Sequence, residues 1–292
     1  MILIGENIHV ISKDISVALK ERNTQVIQDL TRQQTEAGVD YIDINLGPAR
    51  KNPEETMAWI VNTVQEVTHL PLCLDTMNPV AMGAGLKICK NRPLLNSASG
   101  KTDSREQMLP LAKEHNTDVV ISVITDEGCP PDMESRTESI METVAYANEM
   151  GIPNEDIWVD PIILPVSADQ TQVKHDLEFI QNLNDLLPGV KSTVGLSNIS
   201  NGTPEELRPI LNRTLLVMLQ RCGLYSAIVD SFDEEMKALV QGKLPNITDL
   251  IHRSMDGEDI ALDGLSQQER DYAKTAKVLL GDILYSHAWL ED

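Results

Sequence analysis

Carboxylates and amides recur along this sequence, each near the end of a short run of apolar and branched residues. The main examples are Glu6, Asn7, Asp43, Asn45, Asp75, Asn96, Asp160, Ser197, Asn198 and Asp230. Carboxylates accept hydrogen bonds from N–H groups, whereas amides both donate and accept them. No lysine ends any of these runs, and no G-x-S-x-G motif or Ser-His-Asp order is present. The pattern therefore favours a pocket for a neutral, nitrogen-rich ring.

The runs that carry these residues have the composition of buried β-strands. Eight of them alternate with longer segments of helical periodicity. The predicted strands are 1–7, 41–47, 72–76, 93–99, 119–125, 157–161, 192–198 and 226–231. Strict alternation requires a parallel sheet, and eight units in roughly 240 residues fit a closed (β/α)8 barrel of the α/β class. MILIGENIHV lacks the G-x-G-x-x-G expected after the first strand of an open, dinucleotide-binding sheet.

A closed barrel would bring the polar residues together at one end. The carboxyl ends of its strands share a single face, and active sites of this fold lie there. Any one Asp or Asn, taken alone, could instead cap a turn or a helix. The set as a whole is less well explained by capping.

The helical segments predicted between the strands are 15–38, 52–68, 104–116, 138–151, 171–187 and 203–223. Beyond the last strand the patterns DEEMKALVQG and SQQERDYAKTAKVLLGDILYSHAWL also predict helices. We expect one domain over 1–292, with the barrel over about 1–240 and a helical extension over about 241–292. The apolar stripe of the extension could equally form a dimer interface, and we expect a homodimer.

Composition argues against several classes of protein. A formal net charge of −21 disfavours binding to nucleic acid or to an anionic membrane. No apolar run is long enough to span a bilayer, and the first residues lack the features of a signal peptide. The six histidines are scattered and no two cysteines form a C-x-x-C pair, so we expect no bound metal and a cytoplasmic protein with reduced thiols; the cysteines are Cys73, Cys89, Cys129 and Cys222.

Six ordered segments resemble those of a known family. They are GENIH, DINLGP, LDTMNP, NSASG, DPIILPVS and GLSNIS, and LNRTLLVM follows the last. Over residues 1–235 the chain is similar to the pterin-binding barrel family, and specifically to the methyltetrahydrofolate:corrinoid-protein methyltransferases. The resemblance implies a dihydropteroate-synthase-like TIM barrel with extra C-terminal helices.

The resemblance also implies roles for individual residues. Asp75, Asn96 and Asp160 would hydrogen-bond the amino, N–H and carbonyl groups of the pterin. Gly195 and Ser197 would shape the pocket wall, and Asn198 resembles the family's asparagine near N5, the nitrogen that carries the methyl group. Supporting roles fall to three further residues at strand ends, which are Glu6, Asn7 and Asp43.

The implied reaction moves a methyl group between N5 of tetrahydrofolate and the cobalt of a corrinoid. An amide can turn its oxygen or its nitrogen toward N5 as protonation changes there, which would make Asn198 the catalytic residue. The sequence has no D-x-H-x-x-G signature of a cobalamin-binding module. We therefore expect the corrinoid to be supplied by a partner protein.

Three other functions are compatible with parts of this pattern. Dihydropteroate synthase joins a pterin to p-aminobenzoate and needs cations for its diphosphate leaving group, but DPIILPVS and GLSNIS contain no Lys or Arg. A pterin-binding protein without catalysis would use the same pocket. A barrel lyase or aldolase would usually place a Schiff-base lysine or metal ligands at the strand ends.

Overall fold

The computed structural model describes residues 1–291, and in these the eight predicted strands form one parallel barrel. Consecutive strands from β1 to β7 pair with each other, and β8 pairs with β1. The strands are β1 Ile2–His9, β2 Tyr41–Gly47, β3 Leu72–Thr76, β4 Leu94–Ser99, β5 Asp118–Ser122, β6 Ile157–Asp160, β7 Lys191–Ser192 and β8 Ser226–Val229. The predicted (β/α)8 architecture is confirmed.

Closure between β7 and β8 is looser than elsewhere. The amide of Ile228 donates to the carbonyl of Val194 at 2.8 Å, and Gly195 forms a single parallel bridge with Ile228. The hydroxyl of Ser226 donates to the carbonyl of Ser192 at 3.1 Å. These bonds complete the ring although β7 has only two residues in regular pairing.

Helices surround the barrel and continue after its last strand. They are α1 Lys13–Glu21, α2 Thr24–Glu36, α3 Pro53–Gln65, α4 Pro79–Leu86, α5 Thr102–His115, α6 Met133–Glu149, α7 Gln172–Leu186, α8 Arg208–Arg221, α9 Glu234–Val240, α10 Pro245–Met255 and α11 Gln267–Leu279. None of the helices in residues 1–291 combines the length and the apolar character that crossing a membrane would need.

Two helical predictions differ from the structure. The segment 15–38 is two helices, because Arg22 adopts a left-handed conformation with φ of 55° and the side chain of Asn23 caps α2. The sequence reasoning missed α4, whose sequence PVAMGAGL contains two poor helix formers. Gly85 is needed there because a Cβ atom would lie 2.7 Å from the Leu74 side chain.

The prediction of a strand over 192–198 is wrong beyond Ser192. Residues Leu196–Ser200 form a short 3-10 helix that begins after Gly195. Small and polar residues in GLSNIS disfavour a strand, since glycine, serine and asparagine readily form local turns. Asn198 therefore lies on a turn of helix above the barrel and not on a barrel strand.

The C-terminal extension is helical, with α10 and α11 packed against α8. The pattern over 266–290 predicted a helix to its end, but α11 stops at Leu279 and an irregular segment follows. Helix α10 was missed; it buries Ile247, Leu250 and Ile251 on one face.

Candidate active site

Two layers of side chains fill the barrel along its axis. The lower layer is apolar and includes Ile4, Cys73, Leu94 and Trp158, with Tyr41 packed against it. Two residues further along each strand, on the same face, the side chains become polar. The upper layer consists of Glu6, Asp43, Asp75, Asn96 and Asp160. The two-residue period of the strands therefore sends these five polar side chains to one end of the barrel.

Asp75 lies among amides and carboxylates of the neighbouring strands. Its carboxylate accepts a short hydrogen bond from the side-chain amide of Asn45, the residue opposite it on β2. On the other side Asn96 of β4 is its register partner. Burial raises the pKa of Asp75 to about 7; Asn45 opposes this shift, and the charge of Asp160 adds to it.

The carboxylate of Asp160 is fixed by an unusual turn. The amide of Ile162 donates to Asp160 Oδ1 at 2.8 Å, and Ile162 adopts a φ of +65°. A left-handed conformation is rare for a β-branched residue, so the surrounding structure must hold it. Burial raises the pKa of Asp160 to about 6, while the Ile162 amide and the charge of Arg136 act in the opposite direction.

Asp43 lies deepest of the carboxyl groups, with 2% of its surface exposed. Its Oδ1 atom has no hydrogen-bond partner within residues 1–291. Burial and the charge of Asp75 hold its pKa well above the usual range. Burial and a neighbouring carboxylate thus both favour the protonated form of Asp43.

Glu6 joins the first strand to the 3-10 helix. Its Oε1 accepts a hydrogen bond of 2.5 Å from the hydroxyl of Ser197. Burial raises the pKa of Glu6 to about 7, against the effect of Ser197. Asn7 turns elsewhere: its amide donates to Asp230 at 2.8 Å and its Oδ1 accepts from the amide of Ser231 at 3.0 Å.

Asn198 is the most exposed of the predicted site residues. Its Oδ1 accepts a hydrogen bond of 3.1 Å from the amide of Asn201, which leaves its own Nδ2 free to meet a ligand. Gly195 lies against it, because a Cβ at that position would come within 2.9 Å of Asn198 Nδ2. A side chain at position 195 would therefore displace the amide of Asn198.

Sequence reasoning missed two polar contributors to this end of the barrel. Asn45 was recognised as a residue at a strand end but was not assigned to the site, although it is bonded to Asp75. Arg208, at the start of α8, donates to Ser200 Oγ at 3.2 Å and lowers the pKa of Glu6 through its charge. Its position ten residues after Asn198, in a helix start, gave no signal that it would return to the site.

A third omission lies behind the site. Arg136 of α6 and Asp176 of α7 form a short ion pair in which both side chains are fully buried. Arg136 also donates from Nε to the carbonyl of Pro130 at 3.1 Å. Its charge favours the ionised form of Asp160, which links the helix layer to the pocket.

The arrangement can bind a ring with several N–H groups, because carboxyl groups that accept hydrogen bonds lie beside side-chain amides at the same end of the barrel. It can also store protons near neutral pH, because burial raises the pKa values of Glu6, Asp75 and Asp160 into the range of about 6 to 7. No group of three or more His, Cys, Asp or Glu side chains within residues 1–291 is placed to hold a metal ion.

A closed parallel barrel with a polar mouth of this kind defines a class of enzymes whose sites lie at the carboxyl ends of the strands. Residues 12–230 match the family model described as pterin binding enzyme, and the chain belongs to that family. Solved structures with this fold include dihydropteroate synthase from Stenotrophomonas maltophilia, with a TM-score of 0.61 at 16% identity over 83% of this chain and 92% of that one. The synthase from Xanthomonas albilineans in complex with 4-aminobenzoic acid also has a TM-score of 0.61, at 17% identity over 82% of this chain and 92% of that one.

Sequence relatives point to a narrower group. The chain is 28% identical over 242 residues to a methylcorrinoid:tetrahydrofolate methyltransferase from Eubacterium limosum, which covers 82% of this chain and 89% of that protein. It is 26% identical over 240 residues to methionine synthase from Mycobacterium leprae, covering 78% of this chain. This chain spans only 20% of the length of the methionine synthase.

Proposed function

We propose that this protein transfers a methyl group between N5 of tetrahydrofolate and the cobalt of a corrinoid carried by a partner protein. The observation that carries the proposal is the hydrogen bond from Ser197, the neighbour of Asn198, to Glu6, which belongs to the same polar layer as Asp75, Asn96 and Asp160. Similarity to the Eubacterium limosum methyltransferase over most of both chains supports the same reaction.

In this proposal the carboxylates hold the pterin ring. Asp75 and Asp160 accept hydrogen bonds from its amino and ring N–H groups, and Asn96 donates to and accepts from the ring edge. Asn45 keeps the Asp75 carboxylate turned inward through its short bond. Ser197, bonded to Glu6, and Gly195 form the wall that faces the reacting nitrogen.

Asn198 acts on the nitrogen at which charge develops. When the N5–carbon bond breaks, its electron pair stays on N5, and N5 must carry a proton taken up from solvent, because an amide anion is a poor leaving group. The electron pair of the new carbon–cobalt bond comes from the reduced corrinoid, and the reverse reaction returns it. An amide can accept a hydrogen bond from a protonated N5 or donate one to an unprotonated N5. Asn198 therefore stabilises the charge that develops on N5 in both directions of the reaction.

The partner would approach the barrel mouth, where apolar side chains are exposed. Ile11, after β1, is 87% exposed, and Met77, after β3, is 78% exposed. Both residues follow strands at the carboxyl end of the barrel, the face that the corrinoid would have to reach. We propose that these two residues contact the corrinoid protein during transfer.

The test measures methyl transfer from methyltetrahydrofolate to Co(I) cobalamin in a single turnover. The loss of the Co(I) absorbance reports the transfer. Transfer by the wild-type protein and its loss in Asn198→Ala are the expected results. Tight binding of tetrahydrofolate without transfer to cobalamin or to any corrinoid protein would indicate a non-catalytic binding protein. Formation of dihydropteroate from p-aminobenzoate and a pterin diphosphate would instead establish the synthase reaction.

A further inference from the structure

We propose that residues 282–290, which follow α11, form a brace that positions the loop after Asp160 and the helical turn that carries Asn198. We call this segment the C-terminal brace. The inference rests on the proposed function for the role of Asn198, but the contacts of the brace stand independently of it. Residues 282–290 lie beyond the family match, which ends at residue 230.

The first anchor of the brace is Gln170, in the loop between β6 and α7. Its Nε2 donates to the carbonyls of Val278 at 2.5 Å and Ile283 at 2.6 Å. Its Oε1 accepts from the amide of Tyr285 at 3.0 Å. One side chain thus bonds three backbone groups at the end of α11 and in the brace, and Gln170 belongs to the loop that follows Asp160.

The second anchor is Tyr285, whose hydroxyl shares a hydrogen bond of 2.7 Å with Thr203 Oγ1. Thr203 is 8% exposed and lies three residues after the end of the 3-10 helix at Ser200. Its amide donates to the carbonyl of Ser200 at 3.1 Å, at the end of that helix. A hydrogen-bonded path therefore leads from the brace to the turn on which Asn198 lies.

The brace is itself held against the helical extension. Trp289 is 5% exposed, and its Nε1 donates to Thr275 Oγ1 of α11 at 3.0 Å. The rings of Tyr285 and Trp289 lie 5.6 Å apart, which adds an aromatic contact within the segment. Because α11 packs on α8, the brace connects the loops to a fixed part of the fold.

A positioning role differs from plain stabilisation in what it changes. Loss of one neutral hydrogen bond removes only a small part of global stability. Misplacing a catalytic amide by a fraction of an ångström lowers the rate of chemistry, with little effect on substrate binding. The Tyr285–Thr203 bond should therefore affect kcat more than KM.

The kinetic test compares Tyr285→Phe, Thr203→Val and the double variant with wild type. Each single change is expected to lower kcat about threefold to tenfold with KM for methyltetrahydrofolate unchanged, and the double variant is expected to be no worse than either. Thr203→Ser keeps the hydroxyl and should retain the wild-type rate. Tyr146→Phe, on α6, is the matched control that removes a tyrosine hydroxyl elsewhere.

Hydrogen exchange supplies a readout that does not depend on activity. Tyr285→Phe should increase amide exchange in residues 196–203, whereas Tyr146→Phe should leave that segment unchanged. Unchanged exchange there, or an unchanged kcat in an active wild-type background, would overturn the brace. If the wild-type protein transfers no methyl group but Tyr285→Phe still increases exchange in residues 196–203, the proposed function is overturned and the brace is retained.

Discussion

The hydroxyl of Ser197 donates to the carboxyl group of Glu6 over 2.5 Å, across 191 residues of sequence. This bond ties the first strand to the turn of helix that presents Asn198, the next residue along the chain. Burial raises the pKa of Glu6 to about 7, so the bond lies beside a group that changes protonation near neutral pH. The mouth of the barrel thus contains a carboxyl group that titrates near neutral pH.

Tetrahydrofolate binding should depend on pH. Burial raises the pKa of Asp75 to about 7 and that of Asp160 to about 6, and only the ionised forms accept N–H bonds at all their lone pairs. Affinity should therefore fall as the pH drops from 8 through 6, and binding at pH 6.5 should release protons. Calorimetry in buffers of different ionisation enthalpy measures both; an affinity independent of pH would contradict the assignment.

Asp160→Asn should stabilise the free protein while weakening ligand binding. A carboxyl whose pKa rises on folding stabilises the native state at low pH and loses that contribution as the pH rises through about 6. At pH 7.5 the substitution should raise the free energy of unfolding by about 1–3 kcal/mol, and at pH 4 the gain should vanish. Urea unfolding at both values tests this, with exposed Asp185→Asn as the control.

The amide of Asn198 should matter far more to turnover than that of Asn201, which donates to Asn198 and accepts from Arg208. Asn198→Ala should slow methyl transfer about 100-fold or more, as loss of a transition-state donor does. Asn201→Ala should slow it only about fivefold, the cost of one orienting bond. Folate affinity should be nearly the same in both variants, measured by fluorescence titration. If the two variants transferred the methyl group at the same rate, Asn198 would have no catalytic role of its own.

Arg136→Met should be strongly destabilising, because it leaves Asp176 buried without a partner. We expect a loss of about 3–5 kcal/mol in the free energy of unfolding. Adding Asp176→Leu should recover much of it, since an apolar pair of similar volume replaces the buried ions. Denaturant titration of the two variants decides the matter, and a double variant no more stable than Arg136→Met would refute this account.

Charges placed at the exposed positions 11 and 77 should impair only the reaction with the partner protein. Met77→Glu and Ile11→Glu should raise KM for a corrinoid protein about tenfold, since each puts a charge into an apolar contact. Transfer to free cobalamin and folate affinity should not change. Met141→Glu is the matched control, because Met141 is 47% exposed on α6 and lies outside the loops that carry Ile11 and Met77.

Sequence reasoning succeeded where local pattern determines structure. Alternation of strand and helix predicted the barrel, and the polar ends of the strands predicted which residues would lie at its mouth. Asp43, Asp75 and Asp160 are on the faces and at the levels that the two-residue period requires. The strand prediction failed at GLSNIS, where small polar residues favour a turn, and at α4, where packing against Leu74 overrides the poor helix propensity of glycine.

Contacts between distant segments could not be predicted in the same way. Arg208 reaches Ser200 from the start of a helix, and Arg136 meets Asp176 across two helices 40 residues apart. Neither pair follows from periodicity, because each depends on how whole helices pack. The Tyr285–Thr203 bond spans 82 residues and joins a segment that has no regular structure.

The two-layer filling of the barrel has a consequence for how this protein can be altered. Substitutions in the upper layer exchange one polar group for another, and the lower layer remains intact. A one-residue insertion or deletion within β2 or β3 would instead turn Asp43 or Asp75 outward and bring apolar neighbours into the mouth. Natural and engineered variation at this site should therefore consist of replacements at constant strand length, with insertions confined to the loops.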